Sequence, residues 1–297
     1  MVREVVVKHR MPSLLGSYSR MLLPRRGLAR DERVPYLALD SHLLRFDLRQ
    51  LNAYRRYFRI DPQIGVPLLY PQVSALPLHL CLLSRSRMPL SVLGLIHLRN
   101  HIQRYRTLEE DQRMQMECRI LTSRRSALGM EVDVATEIWC DDLLYWQSIS
   151  TYLRRGDFLD PQAEPDPQPD RAHWQTLDAP EMDGAEWSVP KTAGWRYAGL
   201  SGDFNPLHLS RLVASRFGFE RPFVHGMWEL GRSLQEDRLG ESVRLDAHFK
   251  APLALGSTVR ESRRRRGSRE QWALLPVEGG APVLLAQLDA APTGAMR

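Results

Sequence analysis

Along the chain, apolar positions are organised as helix-length stretches followed by runs of alternating apolar and polar residues, and this order occurs twice. In the C-terminal part, a polar segment holding Tyr197 leads into a Gly/Asn/Pro loop, Ser201–Pro206. A short helical stretch, Leu209–Phe217, and an apolar helix from about His225 to Leu234 follow. Strand-like runs come next, at Val243–Phe249, Thr258–Arg263, Gln271–Val277 and Val283–Leu288, with turns at Pro252, Gly256, Gly267 and Gly279-Gly280. The N-terminal part gives Tyr54–Ile60 and then a Pro-broken apolar stretch with a helical section, Ser74–Leu83. Its strand-like runs are Val92–Ile102, Arg113–Ser123, Ala127–Trp139 and Leu143–Tyr152. Within Met130–Ile138 the alternation predicts a strand with one wet face. A helix followed by several antiparallel strands, twice over, predicts an α+β chain made of two copies of one unit.

The boundary between the copies is set by composition. Asp160–Asp170 holds four prolines in eleven residues and almost no apolar content, so it reads as an extended, exposed linker. We place an N-terminal unit at 1–155, a linker at 156–185 and a C-terminal unit at 186–297. With 43% hydrophobic and 26% charged residues, each unit has enough apolar material for its own core, and neither general disorder nor a coiled coil is expected.

Charge and cysteine usage narrow the setting. A net charge of +6 suits an anionic partner: nucleic acid, the phosphates of coenzyme A or an acidic carrier protein. Zinc-finger spacing and a basic helix with heptads are both missing, so nucleic acid is not expected. The three cysteines, Cys81, Cys118 and Cys140, make neither a disulfide framework nor a zinc quartet and fit a reducing compartment. The apolar pieces within residues 1–30 are too short for a signal-peptide core, and the longest apolar stretch, Ile64–Leu83, is interrupted by Pro67, Pro71, Pro77 and His79. A cytoplasmic protein that does not enter a membrane is the expectation.

The segment that carries chemistry is Tyr197-Ala-Gly-Leu-Ser-Gly-Asp-Phe-Asn-Pro-Leu-His208, followed by Ala214, Gly218-Phe219 and Val224-His-Gly-Met227. Gly202 permits a backbone conformation closed to other residues, and Asn205-Pro206 forces the chain out of helix. The loop can therefore turn Asp203 and His208 toward one point. A carboxylate beside an imidazole can work on one water molecule, one group accepting its proton while the other orients it or protonates the product. Gly226, at the start of an apolar helix, offers a backbone N–H to an oxyanion. Water activation together with enolate stabilisation is the chemistry of adding water across an α,β-unsaturated thioester, or removing it.

Over about residues 195–235 this pattern closely resembles the hydratase-2 motif of MaoC-like, (R)-specific enoyl-CoA hydratases. The resemblance implies a hot-dog fold, a central helix wrapped by an antiparallel sheet, and a hydro-lyase activity. It places the catalytic pair on Asp203 and His208 and the amide that holds the thioester carbonyl on Gly226. It gives Asn205 a role in supporting the loop and lets Ser201 and Tyr197 shape the pocket. The N-terminal part, with Pro67-Leu-Leu-Tyr-Pro-Gln-Val-Ser-Ala-Leu-Pro-Leu-His-Leu and Leu93-Gly-Leu-Ile-His-Leu-Arg-Asn-His, looks like the degenerate first unit of double hot-dog dehydratases. It lacks Gly-Asp-x-Asn-Pro-x-His, so one active site per chain is expected, with the N-terminal unit shaping the acyl tunnel. Metal and redox cofactor are not implied: coenzyme A or acyl carrier protein would be part of the substrate. A homodimer is compatible with the family. A thioesterase on the same fold, which the Asp203–His208 motif argues against, and a non-catalytic acyl-thioester-binding subunit are the rival readings.

Other features read as structural. Arg263–Arg266, with Arg260 and Arg269, sits beside the turn Gly267-Ser268 and is either a solvated tip or a contact for phosphates or an acidic carrier. His97 and His101 read as sheet residues, and Cys140-Asp141-Asp142 as structural. Trp195, Trp228 and Trp272 are expected in the core or the pocket wall, with Trp228 narrowing the acyl site.

Overall fold

The computed structural model describes residues 3–8, 10–29, 32–159, 164–167 and 184–290. The N-terminal unit opens with β1 (Arg3–Lys8), α1 (Leu14–Met21), β2 (Tyr36–Leu44) and α2 (Leu48–Phe58). It continues with α3 (Tyr70–Ser74), α4 (Leu76–Leu83) and the strands β3 (Leu95–Arg104), β4 (Met114–Ser126), β5 (Gly129–Cys140) and β6 (Leu143–Arg155). The C-terminal unit has β7 (Gly184–Ser188), α5 (Ala193–Ser201), α6 (Arg211–Arg216) and α7 (Gly226–Ser233), then β8 (Val243–Phe249), β9 (Thr258–Arg266), β10 (Arg269–Pro276) and β11 (Leu284–Asp289).

All eleven strands form one sheet in the order β1-β2-β4-β5-β6-β3-β8-β11-β10-β9-β7. Without the added edge strand β1, each unit contributes five strands with the same internal order. The first strand of the unit lies outermost, then the third, fourth and fifth, and the second lies innermost. The two innermost strands, β3 and β8, pair antiparallel from Arg99–His248 to Arg104–Val243. The sheet is thus two equivalent halves joined at a pseudo-twofold seam, which is the expected double hot-dog.

Each half-sheet buries one helix of its own unit. Pro71 and Pro77 lie in the first turns of α3 and α4, where the N–H has no partner within the helix, so the prolines are accommodated without breaking them. From Leu78 to Leu83, α4 is buried. In α7, Met227, Trp228, Glu229, Leu230 and Ser233 are buried.

Several details depart from the sequence reading. The segment holding Tyr197 is a helix, α5, whereas the helix expected at 209–217 is present as α6, preceded by a 3-10 turn at Pro206–His208. The strands β1 and β2 were not legible in the pattern. Most of the Pro-rich stretch lies outside the described residues; where it is described, Asp166 exchanges hydrogen bonds with the backbone of Arg125 on β4. The polar face of β5 is not wet. Glu131 and Asp133 are buried, and Arg99, Arg124 and Thr151 hold their carboxylates. Buried carboxylates persist only when paired and hydrogen-bonded in this way. Trp272 is in the core, but Trp195 is 58% exposed, because it lies on the outer side of α5. Trp228 is buried against Tyr57 and Trp187 and does not line the acyl cavity. Among the described residues no helix is long and apolar enough to cross a membrane.

Glu236, just beyond α7, ties the two units together: both carboxyl oxygens accept the Leu68 N–H, at 3.0 and 3.1 Å, in the segment leading to α3. Replacing Glu236 with Ala strands a buried amide. We expect a loss of about 1–3 kcal/mol of stability, read from urea unfolding followed by tryptophan fluorescence.

Candidate active site

One cavity of about 190 Å³ runs between the two units. All six residues singled out in the sequence, Tyr197, Ser201, Asp203, Asn205, His208 and Gly226, line it. The geometry begins with the end of α5. Its cap residue Gly202 has φ +82°, the left-handed conformation that stops a helix. A Cβ at this position would also come within 2.7 Å of Leu14. The chain then turns sharply. Ser201 Oγ donates to the Tyr197 carbonyl and accepts from the Asp203 amide at 3.2 Å. Asp203 Oδ1 accepts the Asn205 amide at 3.1 Å, and Asn205 Oδ1 accepts that of Leu207 at 3.3 Å. Asn205 Nδ2 reaches the Leu95 carbonyl at the start of β3, so the loop is moored to the N-terminal unit.

The candidate catalytic groups follow. Asp203 keeps 31% of its side chain accessible to the cavity. Burial holds its pKa above the ordinary carboxylate value, against the opposing pull of His208 and of the Asn205 amide. His208 is buried, and its Nδ1 bonds to the Phe223 carbonyl at 2.9 Å. A carbonyl can only accept, so Nδ1 carries the proton and Nε2 keeps its lone pair. Burial, reinforced by His225, lowers the His208 pKa to about 3, so the ring is neutral at physiological pH.

The sequence reading gave no role to His225. Its ring packs on that of His208 with centroids 3.8 Å apart, and its Nε2 donates to the Asp203 carbonyl at 2.9 Å. Asp203, His208 and His225 bring one potential ligand atom each within 4.8 Å of one another, the only such trio among the described residues. The His225 nitrogen on that side holds its proton toward a carbonyl, however, and has no lone pair for an ion. The trio is organised as a hydrogen-bonded loop clamp.

Tyr18 was also missed. Its hydroxyl donates to the Gly202 carbonyl at 2.7 Å and accepts the Phe204 amide at 2.8 Å, so α1 braces the loop from a distance of 184 residues in sequence. No local signal could have found it.

Gly226 opens α7, and an amide at this position has no carbonyl of its own helix to bond. A side chain there would put its Cβ 2.7 Å from the Phe249 ring, so the close wall of the cavity requires glycine. From the N-terminal unit, Gln72, Leu76, His79, His97 and Tyr152 complete the wall. The cations that line the cavity are Arg155 and Lys250, both exposed. The arginine run is elsewhere: Arg263 is fixed by Glu261, Glu270 and the Trp272 ring, and Arg264 by Gln271.

Residues 161–273 match the MaoC like domain family. The chain is 27% identical over 232 residues to the 3-hydroxyacyl-thioester dehydratase X of Mycobacterium tuberculosis, covering 77% of this chain and 81% of that protein. The crystal structure of HtdX from the same organism superposes with a TM-score of 0.73 at 23% identity, over 86% of this chain and all of that one. The (R)-specific enoyl-CoA hydratase of Aeromonas caviae is 44% identical over 71 residues, 21% of this chain and 52% of that protein. The chain thus resembles MaoC-like proteins through residues 161–273 and shares the double hot-dog fold.

Proposed function

We propose that the chain catalyses the reversible hydration of trans-2-enoyl thioesters to (R)-3-hydroxyacyl thioesters. The observation that carries this reading is the meeting of the Asp203 carboxylate, the neutral imidazole of His208 and the Gly226 amide on one cavity. Water held between Asp203 and His208 loses a proton to one of them as its oxygen attacks C3. The electron pair displaced from the double bond moves into the thioester carbonyl, whose oxygen is held by the Gly226 N–H. The resulting enolate takes a proton at C2 from the same pair, so one water is added and the residues return to their starting states. Dehydration retraces the path. The thioester acidifies the α-carbon by itself, so the steps call for neither metal nor redox cofactor. The names of the relatives from M. tuberculosis and A. caviae support both the reaction and its (R) stereochemistry. Arg155 and Lys250 suit an anionic carrier, coenzyme A or acyl carrier protein.

Loss of the enoyl-thioester absorbance with crotonyl-CoA and a longer trans-2-enoyl-CoA tests this directly. Asp203→Asn and His208→Ala should each lower kcat by about 10²–10⁴. A wild type inert with both CoA and carrier-protein esters would sink the reading.

The pH profile follows from the two burial effects. Hydration needs Asp203 ionised, and its pKa is raised, so kcat/KM should fall as pH drops through a value above the ordinary carboxylate range. His208, already depressed to about 3, should add no limb near pH 6.5. A single acid limb centred on the usual histidine value would contradict this assignment.

Tyr18→Phe removes both hydrogen bonds that brace the loop while leaving the ring in place. We expect kcat to fall about tenfold through misplacement of Asp203, with KM and the thermal midpoint nearly unchanged.

A further inference from the structure

The cavity wall carries polar groups that the hydration steps do not use. Most are already satisfied. Gln72 is bonded through both ends of its amide to Ser148 and Ser150, and His79 through both ring nitrogens to Tyr152 and Thr136. Three are not: Glu229 Oε2, His97 Nε2 and Nδ1 of the clamp residue His225 are buried atoms of cavity-lining residues with no partner among the described residues.

Glu229 is the most telling. It lies on α7 three residues beyond Gly226, about 4.5 Å further along the helix axis from the amide that would hold the carbonyl. It is 2% exposed. Burial alone raises its pKa well above the ordinary value, with no neighbouring charge contributing, and a carboxyl in either form can accept a hydrogen bond from a hydroxyl. A tunnel for a plain hydrocarbon chain gains nothing from such a group. Filling the tunnel with hydrocarbon would leave a buried acid unpaired, at a cost of about 1–3 kcal/mol. His97, packed between Tyr152 and Phe249, provides a second unpaired nitrogen on the same cavity, and Phe249 is also the ring that crowds Gly226.

We infer that Glu229 is a specificity-determining residue that hydrogen-bonds an oxygen on the acyl chain. The preferred substrates are then enoyl thioesters whose chain carries a hydroxyl group a few carbons beyond the double bond. This rests on the hydratase reading of the same cavity. The acid is a binding group for the chain and takes no part in proton transfer at C2 or C3.

The test uses the full chain, as wild type, Glu229→Gln and Glu229→Leu. The probes are trans-2-octenoyl-CoA and its monohydroxylated analogues, with the hydroxyl moved stepwise along the chain beyond the double bond. Wild type should prefer at least one hydroxylated ester by about tenfold in kcat/KM. Glu229→Gln, whose amide oxygen also accepts, should keep the preference. Glu229→Leu should reverse it, losing on the hydroxylated ester and gaining on the plain one. A flat wild-type series would overturn the inference. So would a Glu229→Leu enzyme with an unchanged thermal midpoint that is slowed equally on every ester, or a Glu229→Gln enzyme that has lost all turnover. If wild type turns over none of these esters, the hydratase reading fails by itself, and calorimetric binding of the same probes then decides: tighter binding of a hydroxylated ester that Glu229→Leu abolishes supports the inference, and equal binding of all esters overturns it.

Discussion

The pairing of β3 with β8 is the constraint on which the rest of this molecule depends. Either unit alone would leave its innermost strand as a bare edge and the open side of its helix uncovered. Joining the two strands removes both liabilities and creates a space bounded by both units. The catalytic loop uses that space as soon as it forms: Asn205 is moored to the Leu95 carbonyl at the start of β3, and α1 reaches over from the far unit to place Tyr18 on the loop. The active-site geometry is therefore a property of the seam as much as of the motif.

Burial at that seam also sets the chemistry. The exclusion of water that pushes His208 down to about 3 keeps its ring neutral, with a lone pair ready for a proton. Asp203 is pushed the other way, which makes its carboxylate a stronger base than one in water. The two shifts have opposite signs because desolvation disfavours whichever form is charged. On the polar face of β5, Glu131 and Asp133 are more deeply buried, yet Arg99 and Arg124 hold Glu131 and Arg124 and Thr151 hold Asp133. Among the described residues the buried carboxyl oxygen without a partner, Glu229 Oε2, belongs to the cavity wall, and that contrast sets it apart from the paired carboxylates of β5.

What could be read in advance follows the same division between local and distant causes. The motif loop was legible because its turn is written locally, by Gly202, Asn205 and Pro206, and four of the C-terminal strands were legible because each alternates against a helix of its own unit. Helix α5 was not, since its buried side, Ala193, Tyr197, Ala198 and Ser201, is spelled in small and polar residues that read as a loop. The wet face predicted for β5 was wrong because the partners of Glu131 and Asp133, Arg99 and Arg124, come from other strands. Tyr18, His97 and Glu229 were silent for the same reason: each acquires meaning only from elements packed against it after folding.

The two units share a strand order but not a function, and the openings of their central helices show why. In the C-terminal unit, α7 begins at Gly226, whose amide has no acceptor within its own helix, beside the loop that carries Asp203 and His208. In the N-terminal unit, the corresponding helical stretch carries Pro71 at the second position of α3 and Pro77 at the second position of α4, each removing one first-turn N–H. No counterpart of the Asp203–His208 loop precedes it among the described residues. That end of the helix presents one amide fewer to the space beside it. It is filled from α4 with Leu76, Leu80 and Leu83, and the cavity continues along them as an apolar wall. The N-terminal helix thus presents apolar side chains to the shared cavity where its counterpart presents the Gly226 amide.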